Sequence, residues 1–287
     1  MGKIGIIGGS ALYTIEGFET RERKKVKTPF GDPSDEFVLG TFAGQECVFL
    51  PRHGHEHTIL PSELNYRANI YAFKILGVDR IISISAVGSL KEEIRPLDIV
   101  LADQFIDRTN QGRQTTFFGE GMVAHVSLAE PVCQELKEII YNNSADLNLR
   151  MHDGGTYLNM EGPAFSTKAE SYLYKSWGVD IIGMTNMPEA RLAREAGICY
   201  VTIAMVTDYD SWYLGPEIEN VSVEMVIANL KKNIETAKNI LHNIIPKIPE
   251  VRNCMCKNAL RDAIVTRKEA VPKKTLEKLK PILDGVI

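Results

Sequence analysis

Seven short runs rich in β-branched and other apolar residues recur along this chain, at 3–9, 46–52, 79–89, 97–104, 156–162, 179–185 and 198–207. Several, such as "KIGIIGG" and "ICYVTIAMVT", are nearly continuous in apolar residues. Such strands are covered on both faces, whereas a strand with one wet face alternates. Amphipathic helical patterns lie between the runs. One follows Ser62 as N-cap to Gly77, one covers "SLAEPVCQELKEIIYNN", and one follows Ser166. "PEARLAREAG" puts Pro188 in a first turn and Gly197 past the end, and "SVEMVIANLKKNIETAKNILHNII" is the longest. This alternation predicts an α/β fold with a mixed, largely parallel sheet surrounded by helices. No repeat, low-complexity linker or composition shift divides the chain, so residues 1–287 are expected to form one domain. Residues 250–287, with the basic "RKEAVPKKTLEKLKP", are expected to be a helical tail packed on that body.

Lys and Arg number 33 against 37 Asp and Glu, a formal charge of −4, which leaves no electrostatic footprint for nucleic acid or an anionic membrane. No apolar run approaches the roughly 18 residues of a membrane span. No basic leader precedes the first strand, so a cytoplasmic protein is expected. Cys47, Cys133 and Cys199 lie in apolar segments and read as small buried hydrophobes. Cys254 and Cys256 stand two apart in "NCMCKN". A zinc site there needs two further ligands, and no His or Cys follows. A local disulfide is the other reading, strained at this spacing.

Chemistry-bearing residues gather at strand ends. Gly8, Gly9 and Ser10 follow the first run, where backbone N–H groups and a hydroxyl can cradle phosphate. Arg52 and His53 end the second, with His55 and His57 behind, a set that suits an anion better than a metal because guanidinium repels a cation. Ser85 and Ala86 end the third, and Met184 and Thr185 a later one. Phe165 lies beside a Gly-Pro turn, where its ring can stack on a planar base or simply fill core. Residues 108–124 lack periodicity, and a loop of that length is more often functional than idle. Asp208 and Asp210 close the most apolar run. They could hold a divalent cation, work as an acid–base pair at a glycosidic bond, read a nitrogen base, or face solvent as loop aspartates.

"RHG…H…P…NY.AN", "EGPAFST.AE", "GMTNMPEA.LA.EAGI.Y" and "MVTDYDSW" together resemble the purine nucleoside phosphorylase family, most closely its branch acting on 5′-methylthioadenosine, from about residue 3 to about 245. The resemblance implies a mixed sheet partly closed into a distorted barrel. It implies phosphorolysis of methylthioadenosine to adenine and 5-methylthioribose 1-phosphate, with some activity on adenosine; a broader or 6-oxopurine specificity is the alternative. No metal or organic cofactor is implied, only a nucleoside and inorganic phosphate. Phosphate would be held by Ser10, Arg52, His53, Ser85, Ala86 and Thr185, with Met184 at the ribose and Phe165 at the base or sugar. Asp208 and Asp210 would read the purine, Asp208 as the acid at N7 and Asp210 as acceptor of the 6-amino group. Val223, Val226 and Ile227 would line a 5′-methylthio pocket. His125 matches a residue supplied by a neighbouring subunit, which implies a homotrimer, paired into hexamers in some members. "CMC" is similar to a C-x-C pair of some thermophilic members and implies a Cys254–Cys256 disulfide. Ser10 and Ser85 stand where threonine is common, and Gly183 where asparagine is.

Overall fold

A computed structural model describes residues 2–9, 15–213 and 223–286, without the side chains of 223–227. In chain order the elements are β1 (Lys3–Gly8), β2 (Phe18–Lys24), β3 (Phe37–Phe42), β4 (Gln45–Pro51), α1 (Tyr66–Ile75) and β5 (Val78–Ser89). There follow β6 (Ile99–Leu101), β7 (Gln104–Arg108), α2 (Gln134–Asn143), β8 (Met151–Asp153), β9 (Thr156–Met160) and α3 (Lys168–Ser176). β10 (Ile181–Gly183), α4 (Asn186–Glu195), β11 (Cys199–Tyr209), α5 (Val223–Ile244) and α6 (Lys273–Leu283) complete them.

All strands join one mixed sheet in the order β2-β3-β4-β1-β5-β10-β9-β7, and β11 branches from β5 to carry β6 and β8. The core ladders β4–β1–β5–β11 are parallel, and β2–β3–β4 is an antiparallel edge. Among the described strands no hydrogen-bonded ladder closes the sheet; its branching at β5 is what gathers eleven strands around one centre.

The continuous apolar runs are explained by cover on both sides. Adjacent residues point to opposite faces: Ile7, Val48 and Ile81 pack with Ile70 and Phe73 of α1, Leu192 of α4 and Leu279 of α6. Ile6, Phe49 and Ile82 pack with Leu136 and Ile140 of α2 and Ile240 and Leu241 of α5. Each such side chain contributes about 1.5–3 kcal/mol by leaving water.

Local chemistry moves some boundaries. Asn65, not Ser62, caps α1: its side chain accepts from Ala68 N at 3.1 Å and donates to the Phe30 carbonyl at 2.8 Å. Thr167 caps α3 in a reciprocal capping box with Glu170, which leaves Ser166 free to turn inward. The strand β2, "FETRERK", has no apolar run to betray it, because it is a charged and exposed sheet edge. The tail is only partly helical. Two short 3₁₀ turns precede α6, while Leu260, Val271, Leu279 and Ile282 are buried and Tyr71 Oη donates to the Lys278 carbonyl.

Candidate active site

On one edge of β5 the partner β1 ends opposite Ser83, and β10 joins, running the other way, only at Gly88. Strand direction changes across that gap, and ligands of open α/β sheets bind in such crevices. A cavity of about 450 Å³ opens there, within the range of small-molecule sites. It is lined by Gly9, Arg52, His53, Ser85, Ala86, Phe165, Met184, Thr185, Asp208 and Asp210, and by Leu230, Asn233, Ile234 and Ala237 of α5. Ser10 lies outside the described residues, next to lining Gly9. The side chains of Val223, Val226 and Ile227 also lie outside them; in sequence they precede Leu230 at helical spacing.

Arg52 is almost wholly buried, and its guanidinium is already heavily engaged. Nε and Nη2 donate to the two carboxylate oxygens of Glu189 at 3.0 and 3.1 Å, Nη1 to the Ile84 carbonyl at 2.9 Å, and Nη2 to Ser83 Oγ at 2.6 Å. Of the five N–H donors of an arginine, these four bonds leave one for a ligand. Glu189 also accepts from Ser83 Oγ and Tyr200 Oη. The positive charge is thus neutralised within the protein.

His53 Nδ1 lies 2.9 Å from the Ile59 carbonyl. A carbonyl can only accept, so Nδ1 carries the proton and Nε2 is an acceptor. Burial first, then the Arg52 charge, lower its pKa to about 4, which keeps the ring neutral at pH 7. A neutral Nε2 suits a protonated phosphate oxygen.

Ser85 Oγ lies 3.5 Å from Thr185 Oγ1 and 3.3 Å from Tyr157 Oη. Thr185 sits at the N-cap of α4 yet makes no cap bond, so its hydroxyl stays available beside the helix N-terminus. Gly183 explains its own identity. A Cβ there would stand 1.9 Å from Tyr157 Oη, so the tyrosine reaches the hydroxyl pair only because position 183 carries no side chain.

Arg113, from the non-periodic loop, props up the cavity wall. It donates to Glu161 Oε1 at 2.8 Å and to the carbonyls of Glu161, Met184 and Met187. Glu161 also accepts from the backbone of Asn110 and Gln111, and against the upward push of burial these bonds hold its carboxyl below the usual range.

At the far end Asp208 and Asp210 are both buried, 5% and 4% exposed, so the solvent-facing reading fails. Burial raises Asp208 to about 7 even though Thr207 Oγ1 donates to it at 2.6 Å. Burial also raises Asp210, against the hydroxyls of Ser171 and Ser166. One oxygen of Asp210, Oδ2, is buried without a partner, as is Oδ1 of Asn233. No guanidinium or ammonium balances either aspartate among the described residues that line the cavity.

The residues that sequence reasoning missed are Glu189, Tyr157 and Arg113 behind the cavity wall and Asn233 on it. Glu189, Arg113 and Asn233 stand among other polar residues, so no local pattern marked them. His125 is exposed, donates its backbone N–H to Ala263, and does not line the cavity of its own chain. Phe165, 43% exposed, forms an outer wall.

The expected Cys254–Cys256 disulfide is absent, since all five cysteines are free thiols. The physical reason is orientation: Cys254 Sγ lies 3.3 Å from Cys199 Sγ, and Cys133, Cys199, Cys254 and Cys256 share one cluster. Cys133 and Cys199 are buried, as their apolar segments imply, and both also belong to this cluster.

Residues 3–246 match the model of the phosphorylase superfamily, and the chain belongs to that superfamily. Among its relatives, an S-methyl-5′-thioadenosine phosphorylase of Koribacter versatilis is 55% identical, covering 98% of this chain and 95% of the relative. The crystal structure of a methylthioadenosine phosphorylase from an Antarctic soil metagenomic library superposes with a TM-score of 0.91 at 47% identity, covering 98% and 99% of the two chains. A methylthioadenosine phosphorylase from Schistosoma mansoni in complex with adenine gives 0.86 at 37%, covering 94% and 100%.

Proposed function

We propose that this protein is a pentosyltransferase that cleaves 5′-methylthioadenosine with inorganic phosphate, giving adenine and 5-methylthioribose 1-phosphate for purine and methionine salvage. The observation that carries this reading is polarity along one cavity. Hydrogen-bond donors and hydroxyls for an anion stand at one end, and two buried carboxyls, one half-protonated near neutral pH, stand at the other.

Breaking the bond between C1′ and the purine sends an electron pair to the base and leaves positive charge on the ribose. Asp208, carrying a proton, delivers it to N7 as the base departs. Phosphate, held by Arg52, Ser85, Ala86 and Thr185 and by Ser10 from outside the described residues, stabilises the ribosyl cation and then bonds to C1′. His53 Nε2 accepts from a protonated phosphate oxygen. Asp210 Oδ2 accepts from the 6-amino group, and Met184 and Phe165 pack on the sugar and base. Leu230 and Ile234 give the cavity an apolar wall for the methylthio group, and Val223, Val226 and Ile227, whose side chains lie outside those described, are the further residues assigned to that group. The chemistry needs no metal or organic cofactor. The active unit is a homotrimer, to which His125 contributes across an interface. It works in the cytoplasm, where clustered thiols stay reduced.

Initial rates with and without phosphate on methylthioadenosine, adenosine, inosine and methylthioinosine test the reading. Phosphate-dependent release of adenine, fastest from methylthioadenosine, is expected; equal rates without phosphate would make it a hydrolase. In the same assay Asp210→Asn is expected to move preference toward 6-oxopurines by about 10²-fold or more, since a site built for one polar pattern strongly rejects the other. An unchanged adenosine-to-inosine ratio would remove Asp210 from base reading. Gly183→Ala must displace Tyr157, and a displacement of this order costs about 10²-fold in kcat/KM. The loss is expected chiefly in the KM for phosphate, and a wild-type KM would show that the Ser85–Thr185 pair does not touch phosphate.

A further inference from the structure

Far from the cavity, four sulfurs from three remote segments converge. Cys133 is the N-cap residue of α2, Cys199 opens β11, and Cys254 and Cys256 belong to the tail. From Cys199 to Asp208 the strand runs nine residues, roughly 30 Å, so the cluster sits at the opposite end of β11 from the reacting groups. All four Sγ atoms lie within 4.8 Å of one another, and Cys199 and Cys254 are 3.3 Å apart. A zinc ion bound to four thiolates at about 2.3 Å sets sulfur–sulfur edges of about 3.8 Å. The observed separations bracket that edge, so small side-chain adjustments suffice.

We propose that Cys133, Cys199, Cys254 and Cys256 form a structural zinc site that ties the C-terminal tail to the body. Each sulfur neighbours several others rather than one: Cys133 and Cys199 interact with each other and with both tail cysteines. A tetrahedral ion uses such an arrangement, whereas disulfides single out pairs. Each thiol gives its proton to solvent on coordination. Four thiolates around Zn²⁺ leave an excess of two negative charges, and two guanidinium groups stand against the sulfurs. Arg194 Nη1 donates to Cys256 Sγ at 3.5 Å and Arg252 Nη1 to Cys199 Sγ at 3.8 Å. Glu135 fixes the C-x-C turn by accepting from the backbone N–H of Asn253 and Cys254, so its carboxylate is held away from the role of ligand. Soft thiolates select zinc over hard cations.

Untagged protein, purified anaerobically from zinc-supplemented medium, is analysed for bound metals and for thiols reactive without denaturant. About one zinc per chain is expected, with these four thiols protected until a mercurial releases the ion. Growth with cobalt in place of zinc is expected to give the sulfur-to-metal charge-transfer and intense visible bands of a tetrahedral thiolate site. Cys254→Ser, at the least buried ligand, is expected to lose the metal equivalent and lower Tm while retaining turnover at moderate temperature. Cys47→Ser, outside the cluster, is expected to keep the zinc. Metal-free protein with four alkylatable thiols would overturn the proposal, and so would a mass lowered by the hydrogens lost to disulfides. The cobalt spectrum of the unaltered sequence decides the matter even where a variant does not fold.

Discussion

Asp208→Asn is expected to lower kcat for methylthioadenosine by about 10²–10⁴, the usual worth of a positioned general acid. Asparagine keeps the shape and can still donate a hydrogen bond to N7, but it has no proton to give. Burial holds the wild-type carboxyl at about 7, so the acid form predominates below that pH and disappears above it. The wild-type kcat is therefore expected to fall as pH rises through about 7, and the variant profile to lose that limb. Stability supplies an independent readout. The folded pKa is raised above the ordinary 3.8, so between 3.8 and about 7 the folded state binds more protons than the unfolded one. By linkage the contribution of Asp208 to stability is full below 3.8 and is lost as pH rises through about 7. The carboxamide of the variant does not ionise. The Tm of the variant relative to wild type is thus expected to climb as pH is raised from acid to alkaline. A flat difference in Tm together with near-wild-type kcat would mean that Asp208 is neither buried as described nor the acid.

The sheet and the cavity mouth were legible in the sequence for one reason: a doubly covered parallel strand must be apolar until it ends, and the first polar residue after it marks the ligand edge. Arg52 follows β4, Thr185 stands just past β10 and Asp208 is next to last in β11, whereas Ser85 lies inside the longer β5; the cavity gathers all four. Strands stabilised by pairing alone leave no such mark. The charged β2 could not be read from periodicity. Residues that act through another were equally silent. Glu189 lies 137 positions from Arg52, and Arg113 lies 48 from Glu161, distances over which no local pattern operates. The same holds for the thiols, where a search forward from Cys254 could not find Cys133 and Cys199 behind it. Gly183 looked like a departure from the family and is instead the complement of Tyr157.

Glu189→Ala is expected to destabilise the protein by about 3–5 kcal/mol, because it strands a buried guanidinium without its counter-charge. The side chains of Arg52 and Glu189 are 3% and 1% exposed, so water cannot take the lost partner's place. The damage spreads further, since Ser83 Oγ and Tyr200 Oη lose the same acceptor. Equilibrium urea unfolding measures the loss. Glu189→Gln keeps the volume and one acceptor oxygen but not the charge, and is expected to fall between alanine and wild type. The functional consequence separates two pictures of the phosphate site. If Arg52 served as a free point charge, removing Glu189 would expose more positive charge and tighten phosphate. In the geometry observed, four bonds, two of them to Glu189, fix the plane of the guanidinium and leave one N–H for a ligand. The KM for phosphate in Glu189→Gln is accordingly expected to rise, with the KM for the nucleoside changing far less. A lower KM for phosphate in that variant would show that charge, and not orientation, is what Arg52 supplies.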